Sequence, residues 1–319
     1  MNRTDLRKRK RRKKLIVIYT VFILFALVVM PGSYFAWDYY TSYSKAVEES
    51  PVTKEPVTFK GEEPVAGKVN ILLVGVDTRK EGEASNSDSM MIAQYDSETK
   101  KAKIVSLMRD MFVGIPGKSD KYRLNAAYLM GGGKDGAELL RQTIKQNFDV
   151  DLNYYAIIDF MGFSKAIDQA FPEGIEINVE QQMSEGIGMT LKPGLQRLHG
   201  KELLAYSRFR KDAQSDFGRV KRQQEVIDAI SEELNSFHGV TKLPGMIGTV
   251  LPYISTNYDT TKILSVLSSF LLSGAHQRIE KLTIPIDGSF EDELVNKAWV
   301  LQIDVEKNKE ALNEFLNGA

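Results

Sequence analysis

Two carboxylates and a set of arginines are the residues of this 319-residue chain whose types and spacing could do chemistry. Asp77 closes an apolar run in GVDTR and Asp88 opens the next strand-like run in NSDSM, so both acids are expected at neighbouring strand ends. Such a pair suits Mg2+, or Mn2+ in its place, with substrate phosphates and water completing six oxygens. The competing reading of Asp77 is a strand-end cap. The segment YSRFRKDAQSDFGRVKRQQ, Tyr206 to Gln224, crowds Arg208, Arg210, Arg219 and Arg222 together. Arg208 and Arg210 are two apart and share a face if the chain is extended there. Arg219, Arg222 and Gln223 follow at i, i+3 and i+4, on one face of a helix. A turn between Lys211 and Asp216 brings both groups to one pocket. Guanidinium binds phosphate in planar, bidentate fashion at about 1.5–3 kcal/mol for each charged hydrogen bond, so this cluster suits a pyrophosphate. The alternative is a solvated helix face paired locally with Asp212 and Asp216. Two more arginines stand in SLMRDMFVGIPG, where Arg109 adjoins Asp110, and in KYRLNAAYLMGGG, where Arg123 and Asn125 open a helix.

Other chemistries are disfavoured by what is missing. His199, His238 and His276 have no metal-ligand spacing, there is no cysteine, and neither a G-x-S-x-G elbow nor a G-x-x-x-x-G-K-[ST] loop occurs. Gly131 to Gly133 either cradle phosphate or interrupt a helix.

The elements that must position these residues alternate between two periodicities. VNILLVGV, Val69 to Val76, is the continuous β-branched run of a strand buried on both faces. Ser89 to Tyr95 and Lys103 to Leu107 flank DSETKK as a hairpin. Helical spacing covers Asn125 to Met130, Ala137 to Asn147 and Phe160 to Ala170, with strands at Tyr155 to Ile158 and Ile175 to Val179. Asp216 to Leu234 reads as one helix with Phe217, Val220, Ile227, Ile230 and Leu234 on its apolar stripe. Two helical stretches, a strand at Arg278 to Ile286 and a helix at Val305 to Leu316 complete the chain. This interleaving predicts an α/β (α+β) fold, a mixed central β-sheet flanked by helices.

The formal charge is zero, yet residues 1–14 carry nine Lys or Arg against Asp5 alone, which leaves the rest of the chain acidic. Leu15 to Trp37 then has no charge over 23 residues, long enough at 1.5 Å per residue to cross a bilayer. A basic arm ahead of a span is a topology signal, so no nucleic-acid partner is expected. Small residues at −3 and −1 of a cleavage site are absent around Ala36, which favours an uncleaved signal anchor. The expected organisation is a cytoplasmic segment at 1–14, a transmembrane anchor at 15–37, an extended extracellular stalk at 38–68 with Pro51, Pro56 and Pro64, and an extracellular domain at 69–319. The protein is thus expected to be a single-pass cell-membrane protein. Acidic strand ends and clustered arginines on such a domain suggest metal-assisted phosphoryl transfer on a lipid-linked substrate.

NILLVGVDTR, SDSMMIAQYD, SLMRDMFVGIPG, LNAAYLMGGG and YSRFRKDAQSDFGRVKRQQ, in that order after a single span, resemble the LytR-CpsA-Psr family from about Asn70 to Ile230. The resemblance implies an enzyme of Gram-positive cell-wall assembly that transfers an anionic glycopolymer, such as wall teichoic acid or capsule, from a polyprenyl pyrophosphate carrier to peptidoglycan. It implies Asp77 and Asp88 as Mg2+ ligands and Arg109, Arg208, Arg210, Arg219 and Arg222 as pyrophosphate-binding residues, with Gln223 adjoining. Arg123 stands where the family often has lysine, and Asn86 where many members have arginine. Asp110 or Asp216 either takes the proton of the attacking hydroxyl or orients an arginine. The carrier's chain would need an apolar cavity, for which Phe112, Ile115, Leu124, Tyr128, Phe160 and Phe163 are candidates. The alternatives are a non-catalytic module that binds lipid-linked wall polymer and a membrane-bound transcription attenuator.

Overall fold

The computed structural model describes residues 33–48, 57–65, 67–77, 87–212, 214–236, 243–275 and 278–318. The basic arm, most of the expected anchor, Asn86, His238 and His276 lie outside the described residues. Among the described residues no helix is long and apolar enough to cross a membrane.

The expected extended stalk is corrected. Residues 33–48 form a helix, α1, which packs closely on two later glycines. A Cβ added to Gly248 would lie 2.5 Å from the Tyr39 carbonyl oxygen, and Ala46 is buried with Ala166 and Tyr253. Residues 57–65 are extended but strapped to the domain: Thr58 N–H donates to Lys134 O, Lys60 N–H to the Glu138 carboxylate, and Glu62 N–H to Leu152 O. Tyrosines and alanine on one side of a helix supply packing that a composition rich in polar residues conceals. Gly248→Val is expected to push α1 off its seat at a cost of about 1–3 kcal/mol. Limited proteolysis within residues 33–48 should then accelerate while the rest of the domain stays protected.

The core begins with β1 (Lys68–Val76), which pairs antiparallel with β2 (Ser87–Asp96), itself antiparallel to β3 (Lys101–Leu107). A short hairpin, β4 (Phe112–Gly114) and β5 (Lys121–Arg123), leads into α2 (Leu124–Phe148). The two helices expected on either side of the glycines are thus one element with a break, because Gly132 sits at φ 69° and only glycine takes that backbone readily. β6 (Tyr154–Asp159) returns parallel to β1, and α3 (Phe160–Ala170) follows with the Asp159 side chain accepting from Gly162 N–H as its N-cap. β7 (Ile175–Val179) and β8 (Gly194–Leu198) form a separate ribbon, followed by α4 (Gly200–Arg208) and α5 (Ser215–Ser236). After α6 (Leu243–Val250) come β9 (Ile254–Thr256), α7 (Thr260–Leu272), β10 (Ile279–Ile284), the ribbon β11 (Phe290–Val295) and β12 (Ala298–Ile303), and α8 (Val305–Asn317).

The main sheet has the order β10-β3-β2-β1-β6-β9. β10, β3, β1 and β6 run one way while β2 and β9 run the other, so the sheet is mixed and flanked by helices, as the sequence predicts. Side-chain alternation divides β1 between two layers. Leu72, Val74 and Val76 join Leu140, Ile144 and Phe148 of α2 and Leu312 of α8 in one core. Ile71 and Leu73 point instead to the layer of α3, α5, α6 and α7. The stripe of α5 serves both layers: Val220 and Phe217 pack in the first core, Ile230 and Leu234 in the second.

Candidate active site

Strand direction determines where the polar groups gather. Asp77 follows the end of β1, Arg109 and Asp110 follow β3, and Asp159 ends β6, so all stand at the carboxyl edge of strands that run the same way. That edge is where open α/β sheets place ligands. β2 reaches the same edge from the opposite direction and delivers Asp88. Val76 pairs with Ser87 and Gly75 with Ser89, so Asp88 is the extra residue of a β-bulge. A bulge re-aims the side chain it carries, here toward Arg109, Arg219 and Arg210.

The loop holding Arg109 is tied to the start of α2: Leu124 N–H donates to Met111 O and Asn125 N–H to Arg109 O. These bonds satisfy helix-start donors that would otherwise lack partners. Arg208 is the last residue of α4, where the helix dipole favours a cation, and Arg210 lies just beyond it. The pair therefore converges through a helix end, which corrects the expectation of an extended stretch. Asp216, Arg219 and Gln223 come from the first three turns of α5.

Asp88 is the centre of the charge arrangement. Its Oδ1 accepts from Arg109 Nη1 at 2.6 Å and lies 3.8 Å from Arg219 Nη1 and 4.0 Å from Arg210 Nη2. Arg208 Nη2 is 3.6 Å from Asp77 Oδ2, and its guanidinium stacks over the Phe160 ring at 4.2 Å. Asp216 accepts from Arg219 Nη2 at 2.8 Å and stands 3.7 Å from both Arg109 Nε and Arg210 Nε. Asp110 bridges Arg109 Nε at 3.6 Å and Arg123 Nη1 at 3.3 Å. Ser89 Oγ donates to Gln223 Oε1 at 3.2 Å, fixing Gln223 beside the bulge.

Most of these pairs are longer than a hydrogen bond, so guanidinium groups are held near carboxylates without being saturated. Arg109 Nε, Arg219 Nε and Asp216 Oδ1 are buried with no hydrogen-bond partner. Leaving the two Nε donors unmet costs free energy that an anionic acceptor can recover, whereas the Asp216 oxygen needs a donor. Arg219, with 3% of its side chain exposed, shows the strain most clearly. Burial lowers its pKa to about 10; Asp216 opposes this, and the nearby Arg109 and Arg210 add to it. At neutral pH it remains a cation, bonded to Asp216 and near Asp88, with its Nε unmet.

Arg222 and Arg123 are placed differently from the rest. Arg222 donates to Asp212 at 2.6 Å and to Phe209 O at 2.5 Å, so its guanidinium is engaged in holding the turn that carries Arg210. Arg123 donates to the Trp299 carbonyl and pairs with Asp110 at the rim. Asp212 is the local partner that the alternative reading of the segment names, whereas Phe209 and Trp299 are partners that sequence reasoning did not place here; only Phe209 lies within a recognised motif.

Behind the charges lies an apolar channel. One cavity of about 260 Å3 is lined by Asp88, Arg208, Arg210, Arg219 and Gln223 at its mouth and by Phe160 and Ile227 further in. A second, of about 450 Å3, continues between the sheet and α3, α5, α6 and α7. Leu73, Ala156, Ile158, Phe163, Ile230 and Ile254 line both. Of the expected cavity residues, Phe160 and Phe163 line it. Ile115, Leu124 and Tyr128 do not: they are buried in the core on the opposite face of the sheet. Nearness in sequence to a motif says nothing about which face of a sheet a side chain takes, and Phe112 likewise lies on the β4–β5 hairpin on that side.

The domain thus joins carboxylates at its strand ends and arginines from the ends of β3 and α4 and from α5 at one edge of the sheet, with an apolar channel behind them. The chain belongs to the LytR_cpsA_psr family, whose model matches residues 34–316. It is 42% identical over 280 residues to the regulatory protein MsrR of Staphylococcus aureus, covering 86% of this chain and 84% of MsrR. It is 30% identical to the polyisoprenyl-teichoic acid–peptidoglycan teichoic acid transferase TagU of Oceanobacillus iheyensis, covering 94% of this chain and 92% of TagU. Among solved structures, B. subtilis TagV matches with a TM-score of 0.67 and 26% identity, over 80% of this chain and 100% of TagV. Family relatives named for glycopolymer transfer support a transferase role at the level of the family, while the MsrR name speaks of regulation.

Proposed function

We propose that the protein is a phosphotransferase that moves an anionic glycopolymer from a polyprenyl pyrophosphate carrier to a peptidoglycan hydroxyl, at the outer face of the cell membrane. One observation carries the reading: Arg208, Arg210 and Arg219 line the mouth of a channel whose interior is apolar. A pyrophosphate bearing a long hydrocarbon on one side and a sugar on the other satisfies both halves. The name of TagU, which pairs a polyisoprenyl-linked donor with a peptidoglycan acceptor, supports the same direction of transfer.

In this reading the lipid enters the channel along Phe163 and Ile230, and the pyrophosphate displaces the loose pairs between the arginines and Asp88. The acceptor oxygen attacks the sugar-proximal phosphorus, the bond to the bridging oxygen breaks, and polyprenyl phosphate leaves with its new charge held by the arginines. The hydroxyl proton passes to solvent. Asp110 and Asp216 are each flanked by two or more arginines, which supports the orienting role over that of a base. Asp77 and Asp88 would hold Mg2+. Their oxygen donors suit it, and since no cluster of three metal-binding side chains occurs among the described residues, phosphate oxygens and water would complete the set. Bound there, Mg2+ would neutralise phosphate charge.

The test supplies full-length protein with labelled polyprenyl-pyrophosphate glycan and peptidoglycan oligomers. Linked product that vanishes with EDTA and returns with Mg2+ is expected; binding of donor with no product under any metal would overturn the transferase reading. External protease should shave the domain from intact cells, and full protection would overturn the proposed location and favour the regulatory reading attached to MsrR.

A further inference from the structure

The ribbon β11–β12 carries an apolar face that runs past the core it covers. Directly opposed residues of an antiparallel pair share a face, and so do residues two apart. Phe290 and Ile303, Asp292 and Leu301, and Leu294 and Trp299 are such opposed pairs, so these six side chains form one face. At its inner end the face is anchored: Ile303 and Leu301 are buried in the core, and Phe290 stacks on Phe217 of α5 at 5.2 Å. At its outer end Leu294 is 56% and Trp299 63% exposed.

This overhang is continuous with the active site. Leu301 N–H donates to Asp110 O at 2.9 Å, and Arg123, which pairs with Asp110, donates to the carbonyl of Trp299 itself. The indole is therefore borne on a strand tied to the site loop through Asp110 O and the Arg123 guanidinium. On its face of the ribbon the one acidic side chain is Asp292, which is exposed; Glu291 and Glu293 are exposed on the other face of β11. A carboxylate beside the indole disfavours an anionic polymer or an anionic lipid surface there. It does not repel an uncharged sugar, whose hydroxyls donate to a carboxylate while its C–H face packs on an indole.

We infer that Trp299, with Asp292 diagonal to it on the same face, is a platform for the pyranose rings of the acceptor glycan strand. This rests on the transferase reading and extends it: the polyanionic donor approaches over Arg208, Arg210 and Lys211, and the acceptor approaches from the Trp299 side, so the two polymers are sorted by charge before they meet at the phosphorus.

The experiment uses the full chain in nanodiscs with Trp37→Phe, which leaves Trp299 as its one indole, since the sequence contains two tryptophans. Titration with a soluble β-1,4-linked N-acetylglucosamine oligosaccharide is expected to change its fluorescence saturably. In the transfer assay Trp299→Ala should raise the acceptor KM about tenfold with donor KM and hydrolysis of donor by water unchanged, and Trp299→Tyr should restore most of the affinity. A flat titration, or an acceptor KM unmoved in Trp299→Ala while wild-type transfer proceeds, overturns this inference and leaves the transferase reading standing. Quenching of Trp299 by brominated lipid in the nanodisc overturns it in favour of membrane contact. Absence of transfer by the wild type overturns the transferase reading instead, and the titration still reports sugar binding separately.

Discussion

Asp88→Asn is expected to lower glycopolymer transfer by at least about a hundredfold while leaving the fold intact and metal-free binding of pyrophosphate unchanged or tighter. The reason lies in the convergence of Arg109, Arg210 and Arg219 on one carboxylate oxygen. With that charge removed the three guanidiniums face each other with less compensation, so an anion is welcomed more strongly. What would be lost is one of the two carboxylates, Asp77 and Asp88, proposed to hold Mg2+. Two measurements separate these effects. Calorimetric titration with pyrophosphate in EDTA reads the arginines alone. The additional rise in Tm that Mg2+ causes when pyrophosphate is present reads the carboxylates, and it should be seen in the wild type and be absent in Asp88→Asn. Full turnover in the variant would show that Asp88 serves only to hold the arginines apart in the free protein.

Arg219→Met carries the second large effect, and it acts on stability as well as on binding. Methionine keeps the unbranched stem but removes the donor that Asp216 Oδ2 meets at 2.8 Å. Asp216 then retains only the two 3.7 Å pairs with Arg109 and Arg210, in a pocket where little solvent reaches it. Loss of a charge-assisted bond of this kind costs about 1.5–3 kcal/mol, partly offset because burial already disfavours the Arg219 cation. A urea midpoint lowered with unchanged slope is the expected result, together with pyrophosphate binding weakened at least about tenfold. An unchanged midpoint would mean that desolvation of Arg219 cancels its bond to Asp216. An unchanged affinity would place the pyrophosphate elsewhere along the strand ends.

Elements with a strong one-dimensional signal are legible from residue order alone. VNILLVGV reads as a buried strand because a continuous β-branched run has no amphipathic face, and β1 is the strand between β2 and β6. The length and charge pattern of Asp216 to Leu234 reads as α5. α4 is hidden because Arg208 and Arg210 suggest the parity of an extended chain, although His199 and Glu202 form a capping box that marks a helix start. The helix at 33–48 is hidden for a different reason: its stability comes from docking against Gly245 and Gly248, which lie far along the chain.

By themselves, the residue types pointed to the proposed chemistry: hard oxygen donors at Asp77 and Asp88, guanidiniums enough for a pyrophosphate, and a basic-flanked apolar segment. These are properties of side chains and local periods, which do not depend on where the chain travels. Tertiary structure alone decided which arginines share a pocket, since Arg219 turns to Asp88 while Arg222, three residues on, is taken up by Asp212 and Phe209 O. It also decided that Phe163 lines the channel while Leu124 does not, and that Trp299 stands beside Arg123. Such neighbours are set by strand direction, sheet face and register, and those follow from how distant segments bury one another.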